Sequence, residues 1–599
     1  MAPAEAAQSR DSLRAGGLAV TLLLAKAFAL AAHGTTHLSP LSVIAYAWQD
    51  IAVAIAFWAI DTSLRRPRWL WIPYTALAAW VAINIPVIAT LGSPLTPTMI
   101  RAAGAALGNS MQSALTLSVL VEMCAVTAVA ITAPRLLRAL PRTLRQLAVP
   151  AGLLVAVVGA ISVTSLDTNG LHRNALTALL VTATPRIGSA DSDGSAMDFR
   201  SSPFGDRRGE DLTQYRSRAK GFNVVLVALE STAARYLKPY GAKDDPTPSL
   251  TALARESIVF DAAYAAYPES VKGLFSVLCS MAPALDVAAE PHARAPCDSV
   301  VTRLGQAGYR TSLFHAGRFT YLGMQEIIDV HRFDTKEDAG AIGGRVESSF
   351  GVDEPAVVSR VLKWIDEGPR DRPFFVTYLP AAGHHPYASS ADGPFPVDTA
   401  LGVYKNAIYE GDRALGTLFD GLRARGLFDR TLIVVFGDHG EAFDQHPGNR
   451  AHSLYIYDEN VHVPLVIRVP GPQSTTGTRV ARVASVLDIG PTILDLTGAR
   501  PQQGIQGASL LEPRERMALF HADYDRAWLG LRDGCWKFLL EVDAGRARLF
   551  DVCADPAETL DRSAEDPARS DAYRARVTVW AASRRAAVLG AANNPRPPE

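Results

Sequence analysis

Residues 222–230 read FNVVLVALE, an apolar run that stops abruptly at Glu230. Val, Leu and Phe without polar alternation are what a strand covered on both faces requires, as in a parallel sheet between helical layers. Three further stretches repeat the arrangement. Residues 309–314 (YRTSLF) lead into His315, 373–379 (PFFVTYL) lead to His384 and His385, and 431–436 (TLIVVF) lead through Gly437 to Asp438 and His439. Helical patterns at 354–367 and 406–425 lie between them. Alternating strands and helices predict an α/β layer structure. Ligands of open α/β sheets bind beyond the carboxyl ends of the strands, and here those ends carry Glu, His, His-His and Asp-His. One buried acid or histidine is commonly structural, whereas several at the same end of consecutive strands point to a shared site.

The residue types name a chemistry. Glu230, Asp438 and His439 offer two carboxylates and an imidazole, a set that holds Zn²⁺ or Mn²⁺ while leaving a position open for a reacting group. Residues 267–280 read YPESVKGLFSVLCS, with Ser270 just before an apolar, helix-like run. A hydroxyl there sits beside free backbone N–H groups that also suit an anionic ester, although the same position fits a plain helix N-cap. With the metal set alongside, Ser270 is read as the nucleophile and a further metal contact. Lys272 is expected to neutralise ester oxygens, and Arg318 to supply a planar donor fork. His384, His446 and His452 are the remaining candidates for contacting ester oxygens, protonating a leaving group or holding a second metal.

Upstream of this region the composition changes. Five apolar stretches, at 17–34, 43–62, 69–91, 111–133 and 148–166, each approach the ~20 residues that cross a bilayer as helix. Arg10 and Arg14, Arg65, Arg66 and Arg68, and Arg135, Arg138, Arg142 and Arg145 fall in alternate loops, while the other loops hold only Arg101. That bias places the N-terminus inside and everything after residue 166 outside. Lys26, Asp50 and Glu122 lie within the spans, either as an ion pair such as Lys26 with Asp50 or as a polar path for a lipid headgroup. Residues 171–187 are expected to lie along the membrane surface, and 188–221, rich in Ser, Gly, Asp and Arg, to form a mobile tether. The expected domains are therefore 1–166 (five transmembrane helices), 167–220 (juxtamembrane helix and linker), 221–565 (catalytic) and 566–599 (C-terminal helix and tail). A formal net charge of −1 over 599 residues gives no electrostatic reason to expect nucleic acid as a partner. Cys124 lies in an apolar run; Cys279 with Cys297 and Cys535 with Cys553 pair as two local disulfides if the domain faces an oxidising compartment, and remain four thiols otherwise.

The motifs also resemble a family. LES at 229–231, HHP at 384–386 and GDHGEAFDQH at 437–446, with PLVIRVPG at 464–471, VLDIGPTILDLTG at 486–498 and LFDVCADPAE at 549–558, are similar to the sulfatase-like branch of the alkaline phosphatase superfamily. Five membrane helices ahead of such a domain resemble lipoteichoic acid synthases and lipid A phosphoethanolamine transferases. The resemblance implies a mixed, mostly parallel sheet sandwiched by helices, a metal set of Glu230, Ser270, Asp438 and His439, and His315, Arg318, His384, His446 and His452 at substrate-side positions. It also implies transfer of a phospholipid headgroup to an envelope glycan or lipid acceptor, through a covalent enzyme intermediate on the periplasmic side of the cytoplasmic membrane. The nucleophile of those enzymes is a threonine; the matching position here is Ser270. The C-terminal motifs pull toward true sulfatases, making ester hydrolysis the alternative. Sulfatases form formylglycine within a C/S-x-P-x-R pattern, but Ser270 is followed by Val271, Lys272, Gly273 and Leu274, without the Pro or the Arg.

Overall fold

A computed structural model describes residues 2–34, 39–64, 68–106, 115–188, 198–348, 351–387, 393–471 and 477–593. Arg65, Arg66, residues 111–114 of the expected fourth span, 189–197 of the expected tether and 594–599 of the tail lie outside the described residues. The chain divides into two units. The first comprises 1–101, 110–185 and the short segment 444–450; the second comprises the rest.

Among the described residues the first unit has five long helices: α1 (Ala2–His33), α2 (Pro40–Ser63), α3 (Trp71–Leu91), α4 (Leu117–Leu136) and α5 (Arg142–Ser165). Each contains a stretch long and apolar enough to cross a membrane. The fourth starts later than its hydropathy suggested because Thr116 caps it, its side chain accepting from Val119 N. Lys26 and Asp50 do pair, Nζ to Oδ2 at 3.3 Å. Lys26 also donates to the carbonyls of Leu171 and Arg173, so the charges are matched within the helix bundle as membrane depth demands.

The second unit is built on a mixed, mostly parallel sheet of nine described strands: β1 (Asn223–Leu229), β2 (Ile258–Tyr264), β3 (Arg310–His315), β4 (Thr335–Glu337), β5 (Phe374–Leu379), β6 (Thr431–Gly437), β7 (His462–Val463), β8 (Leu465–Arg468) and β9 (Thr478–Ser485). Their order is β7-β2-β8-β6-β1-β5-β3-β4, with β9 also pairing β2. The β6-β1-β5-β3-β4 half is parallel throughout. The apolar run at 222–229 now has its explanation. Val224, Leu226 and Ala228 face one core, while Val225 and Val227 face the other. Helices α6 (Ser270–Cys279), α7 (Glu354–Asp366) and α8 (Ala400–Ala424) help to close those cores. Each fully buried valine contributes on the order of 1.5–3 kcal/mol, and the five interior positions, 224–228, are all buried. A second, antiparallel sheet follows, β10 (Ala518–Ala522), β11 (Trp528–Asp533), β12 (Trp536–Glu541) and β13 (Arg546–Asp551). The last helix, α9 (Pro567–Asn593), buries Tyr573, Val577, Trp580 and Ala581 at the spacing of one helical face.

Two expectations about the linker change. Residues 167–185 belong to the first unit. Residues 198–220, read as part of a mobile tether, are fixed to the second: Arg200 forms a two-pronged pair with Asp488, and the backbone N–H groups of Leu212 and Ala219 donate to Leu511 and Leu496. Polar composition mimicked a solvated linker, but its charges have buried partners almost 300 residues away.

Cys279–Cys297 and Cys535–Cys553 are disulfides, consistent with an oxidising surrounding. Replacing Cys279 and Cys297 together by alanine reopens a loop with a sequence separation of 18, which on chain-entropy grounds lowers stability by about 3 kcal/mol. Denaturant unfolding of the parent and the double variant measures it; coincident curves would show that the bridge constrains nothing.

Candidate metal centre

Strands β1 and β6 run parallel with Leu229 opposite Gly437. The next residue on each, Glu230 and Asp438, therefore leaves the sheet beside the other. The surrounding chain is too close for side chains. A Cβ on Gly437 would lie 2.4 Å from the Thr232 carbonyl, and one on Gly440 2.2 Å from that of Glu459, which accounts for glycine on both sides of Asp438-His439. Ser231 takes a left-handed φ of 51°, uncommon for a residue with a side chain. In that conformation its N–H donates to Asp438 Oδ1 at 3.0 Å and its hydroxyl to Glu230 Oε1 at 2.8 Å.

Ligand atoms of Glu230, Asp438 and His439 all lie within 4.8 Å of one another. His439 Nε2 is 3.5 Å from Glu230 Oε1 and 3.6 Å from Asp438 Oδ2. Its other nitrogen, Nδ1, donates to Gly440 O at 3.0 Å, which leaves the Nε2 lone pair turned to the carboxylates, as a metal-binding imidazole requires. Ser270 completes the group, its Oγ donating to Glu230 Oε2 at 2.8 Å and lying 3.3 Å from His439 Nε2. The N-cap reading of Ser270 does not hold. Glu269 is the cap, accepting from Val271 N and Lys272 N, and Ser270 is the first helical residue of α6. Its hydroxyl is thereby released from capping and remains half-buried at the cluster.

Electrostatics favour a cation here. Burial, then the charge of Glu230, pushes Asp438 up to about 7. Burial would raise Glu230 as well, but His439, followed by His384 and His452, outweighs it and holds Glu230 down to about 2. Burial opposes a charge on His439, yet Asp438 and Glu230 together raise it. Two buried acids that repel, an oriented imidazole and a hydroxyl are a donor set that fits a divalent ion of the Zn²⁺ or Mn²⁺ kind.

Around this group the other expected residues divide. His315 ends β3, donates from Nδ1 to Leu379 O, and lines a small cavity together with Glu230, Ser270 and Asp438. His452 lies with its ring centre 4.3 Å from that of His439, and His384 lies 6.2 Å from His452. Burial, then His439, lowers the His452 pKa well below its ordinary value. Lys272 is buried in a pair with Asp523, 3.2 Å away, with its ammonium 4.3 Å from the centre of the Tyr267 ring. Arg318 is exposed and lies against Gly340. His446 falls in the 444–450 segment of the first unit, where its carbonyl accepts from Asn449 N.

Two acids that sequence reasoning passed over organise the site. Glu441 is fully buried, holds His452 Nδ1 at 2.7 Å and accepts from the Tyr387 hydroxyl; burial pushes it up to about 7. It stood in plain view inside GDHGEAFDQH, three residues after Asp438. Asp523, the partner of Lys272, follows β10 and carried no local signal.

Residues 222–499 match the family model described as Sulfatase. Arylsulfatase K of Xenopus laevis is 26% identical over 233 residues, covering 34% of this chain and 43% of that protein. Lipoteichoic acid synthase 2 of Bacillus subtilis is 23% identical over 322 residues, covering 50% of this chain and 48% of that protein. The chain thus spans less than half the length of these curated relatives. Among solved structures, the lipoteichoic acid synthase LtaP from Listeria monocytogenes superposes with a TM-score of 0.50 at 19% identity, over 65% of this chain and 97% of that one. An alkaline phosphatase superfamily protein from Vibrio parahaemolyticus gives 0.51 at 20%, over 71% and 97%. At such identities the structures speak for the fold alone, and residues 222–499, a little under half of this chain, are similar to the Sulfatase family.

Proposed function

We propose that the chain is a membrane-anchored, metal-dependent transferase. It moves a phospho-headgroup, of the phosphoethanolamine or phosphoglycerol type, from a phospholipid to an envelope glycan or lipid acceptor through a covalent bond to Ser270. The observation that carries this reading is the position of Ser270 Oγ, 2.8 Å from Glu230 Oε2 and 3.3 Å from His439 Nε2, at the start of a helix whose cap is another residue.

Glu230, Asp438, His439 and Ser270 would hold the cation, Zn²⁺ or Mn²⁺, which when bound supplies positive charge beside the nucleophile and the phosphoryl oxygens. The Ser270 proton leaves along its hydrogen bond to Glu230 as Oγ bonds to phosphorus. The ester bond to diacylglycerol breaks, and His384 protonates the departing oxygen. An acceptor hydroxyl then gives its proton to His384 and attacks the same phosphorus, the bond from phosphorus to Ser270 breaks, and Oγ takes back the proton held at Glu230. His315 and His452, each with Nδ1 already engaged, by Leu379 O and by Glu441, would turn Nε2 to the substrate and donate from it to phosphoryl oxygens in the protonated form that a bound anion favours. Arg318 and His446 contact donor or acceptor further out. Lys272, tied to Asp523, acts by fixing the start of α6. The N-terminus would lie in the cytoplasm and the domain on the outer, periplasmic side, where disulfides persist. Nucleic acid has no place in this scheme.

Ser270→Ala should reduce headgroup release from phospholipid by at least ~10³-fold, as removal of a covalent nucleophile does elsewhere. Intact-mass spectrometry of the parent incubated with phospholipid should show an adduct of headgroup mass on Ser270 that the variant lacks. Hydrolysis of an aryl sulfate without any headgroup release would instead assign the site to the ester-hydrolase reading.

Metal content separates first contacts from their supports. Asp438→Asn should leave the purified protein nearly free of Zn and Mn by elemental analysis. Glu441→Gln, which loosens His452, should cost ~10–100-fold in turnover while the bound metal is largely retained. Full occupancy in Asp438→Asn would place the ion elsewhere.

A further inference from the structure

The second unit contains a cavity of about 620 Å³ that shares no residue with the Glu230–His439 cluster. Spaces of ~300–1,000 Å³ are typical of small-ligand sites. Three arginines line it: Arg200, Arg516 and Arg584. Two are neutralised, Arg200 by Asp488 and Arg516 by Asp198 at 2.9 Å. Arg584 is not. It is only 6% exposed, yet among the described residues it has no ion-pair partner, and its one hydrogen bond runs from Nε to the Ala282 carbonyl at 3.0 Å. Its Nη2 is buried without any partner, as is Ser583 Oγ on the neighbouring residue of α9. Burial alone pulls the guanidinium down to about 10, with no carboxylate near enough to draw it back.

A buried charge opposed only by a carbonyl dipole is costly, by several kcal/mol. Proteins match such charges, and this one lies on the wall of a cavity, with its Nη2 and the Ser583 hydroxyl covered and unpaired, so that an anion entering the cavity would draw both side chains round to meet it. We propose that this cavity is a binding site for a tetrahedral oxyanion, phosphate or sulfate, with Arg584 as its principal counter-ion and Ser583 as a second donor. With Nε held by Ala282 O, the two Nη groups of the guanidinium are the donors left for such a group. The remaining volume accommodates whatever the oxyanion is attached to. The site does not depend on the proposed transfer reaction, because no residue of that reaction lines it.

The test uses the full chain in detergent, in the Ser270→Ala background with chelator, so that the metal centre contributes neither turnover nor an ion. Isothermal titration with inorganic phosphate, inorganic sulfate and glycerol 3-phosphate, at ionic strength held constant with chloride, should give saturable binding. Arg584→Met should weaken it by at least about tenfold, the loss of charge-assisted hydrogen bonds. Ala587→Glu, at an exposed position on the cavity wall, should do the same by adding a negative charge, and it carries the test should Arg584→Met not fold. Tighter binding of glycerol 3-phosphate than of free phosphate would assign the site to an esterified group; the reverse would assign it to the free ion. Absence of binding by all three probes, or affinities that Ala587→Glu leaves unchanged, would overturn the proposal.

Discussion

Two carboxylates leave neighbouring parallel strands at the same level because Leu229 and Gly437 are in register. Glu230 and Asp438 are then forced together with 7% and 8% exposure, where like charges cannot be dispersed by water. Much of the local architecture manages this juxtaposition. Ser231 adopts a left-handed backbone and spends both its donors on the two acids. The His439 N–H also goes to Asp438 Oδ1. Glycines at 437 and 440 let the chain pass where a Cβ would collide. A stability-first design would not put two acids here, so the expense marks a functional arrangement.

The sheet order explains why residues scattered over 200 positions gather. Strands β6, β1, β5 and β3 are adjacent in that order, so their exits present Asp438-His439, Glu230, the approach to His384, and His315 in spatial sequence. Ser270 arrives differently. β2 is antiparallel to β8, and β8 is antiparallel to β6, so β2 points the same way as β6 and delivers the start of α6 to the same rim.

These features were legible in the sequence to unequal degrees, for physical reasons. Strand interiors with no polar residue announce two-sided burial, and the first polar residue after each marks the rim; that is why Glu230, His315, Asp438 and His439 were readable. The role of Ser270 was readable only in part, because Ser is as good a cap as a nucleophile. The structure gives the cap to Glu269 and leaves the Ser270 hydroxyl beside Glu230. Lys272 looked like a free cation because its partner Asp523 is 251 residues away, and pairing at that distance leaves no local pattern. The tether was misjudged for the same reason, through Arg200 and Asp488. Glu441 is the instructive omission. Lying beside ligands, it could have been suspected from the rule that a metal-site histidine needs an acceptor for its second nitrogen.

Asp523 also shows that the working unit extends past residue 499, where the sulfatase match ends. It follows β10 in the antiparallel sheet, and it accepts from the Tyr267 hydroxyl, from Lys272 Nζ and from Asp286 N. The neighbouring His521 N–H donates to Ala266 O. These contacts grip the chain immediately before and after Ser270. Burial would raise the Asp523 carboxyl, but Lys272, then His521, draws it far below the usual range, so it stays charged at any ordinary pH and the grip persists. The position of Ser270 relative to Glu230 is therefore set from two directions: by the strand register of the large sheet, and by an acid following a strand of a separate sheet more than 250 residues downstream. A site assembled this way cannot be cut at the boundary of its recognisable motif without releasing Ser270 from the place it holds beside Glu230.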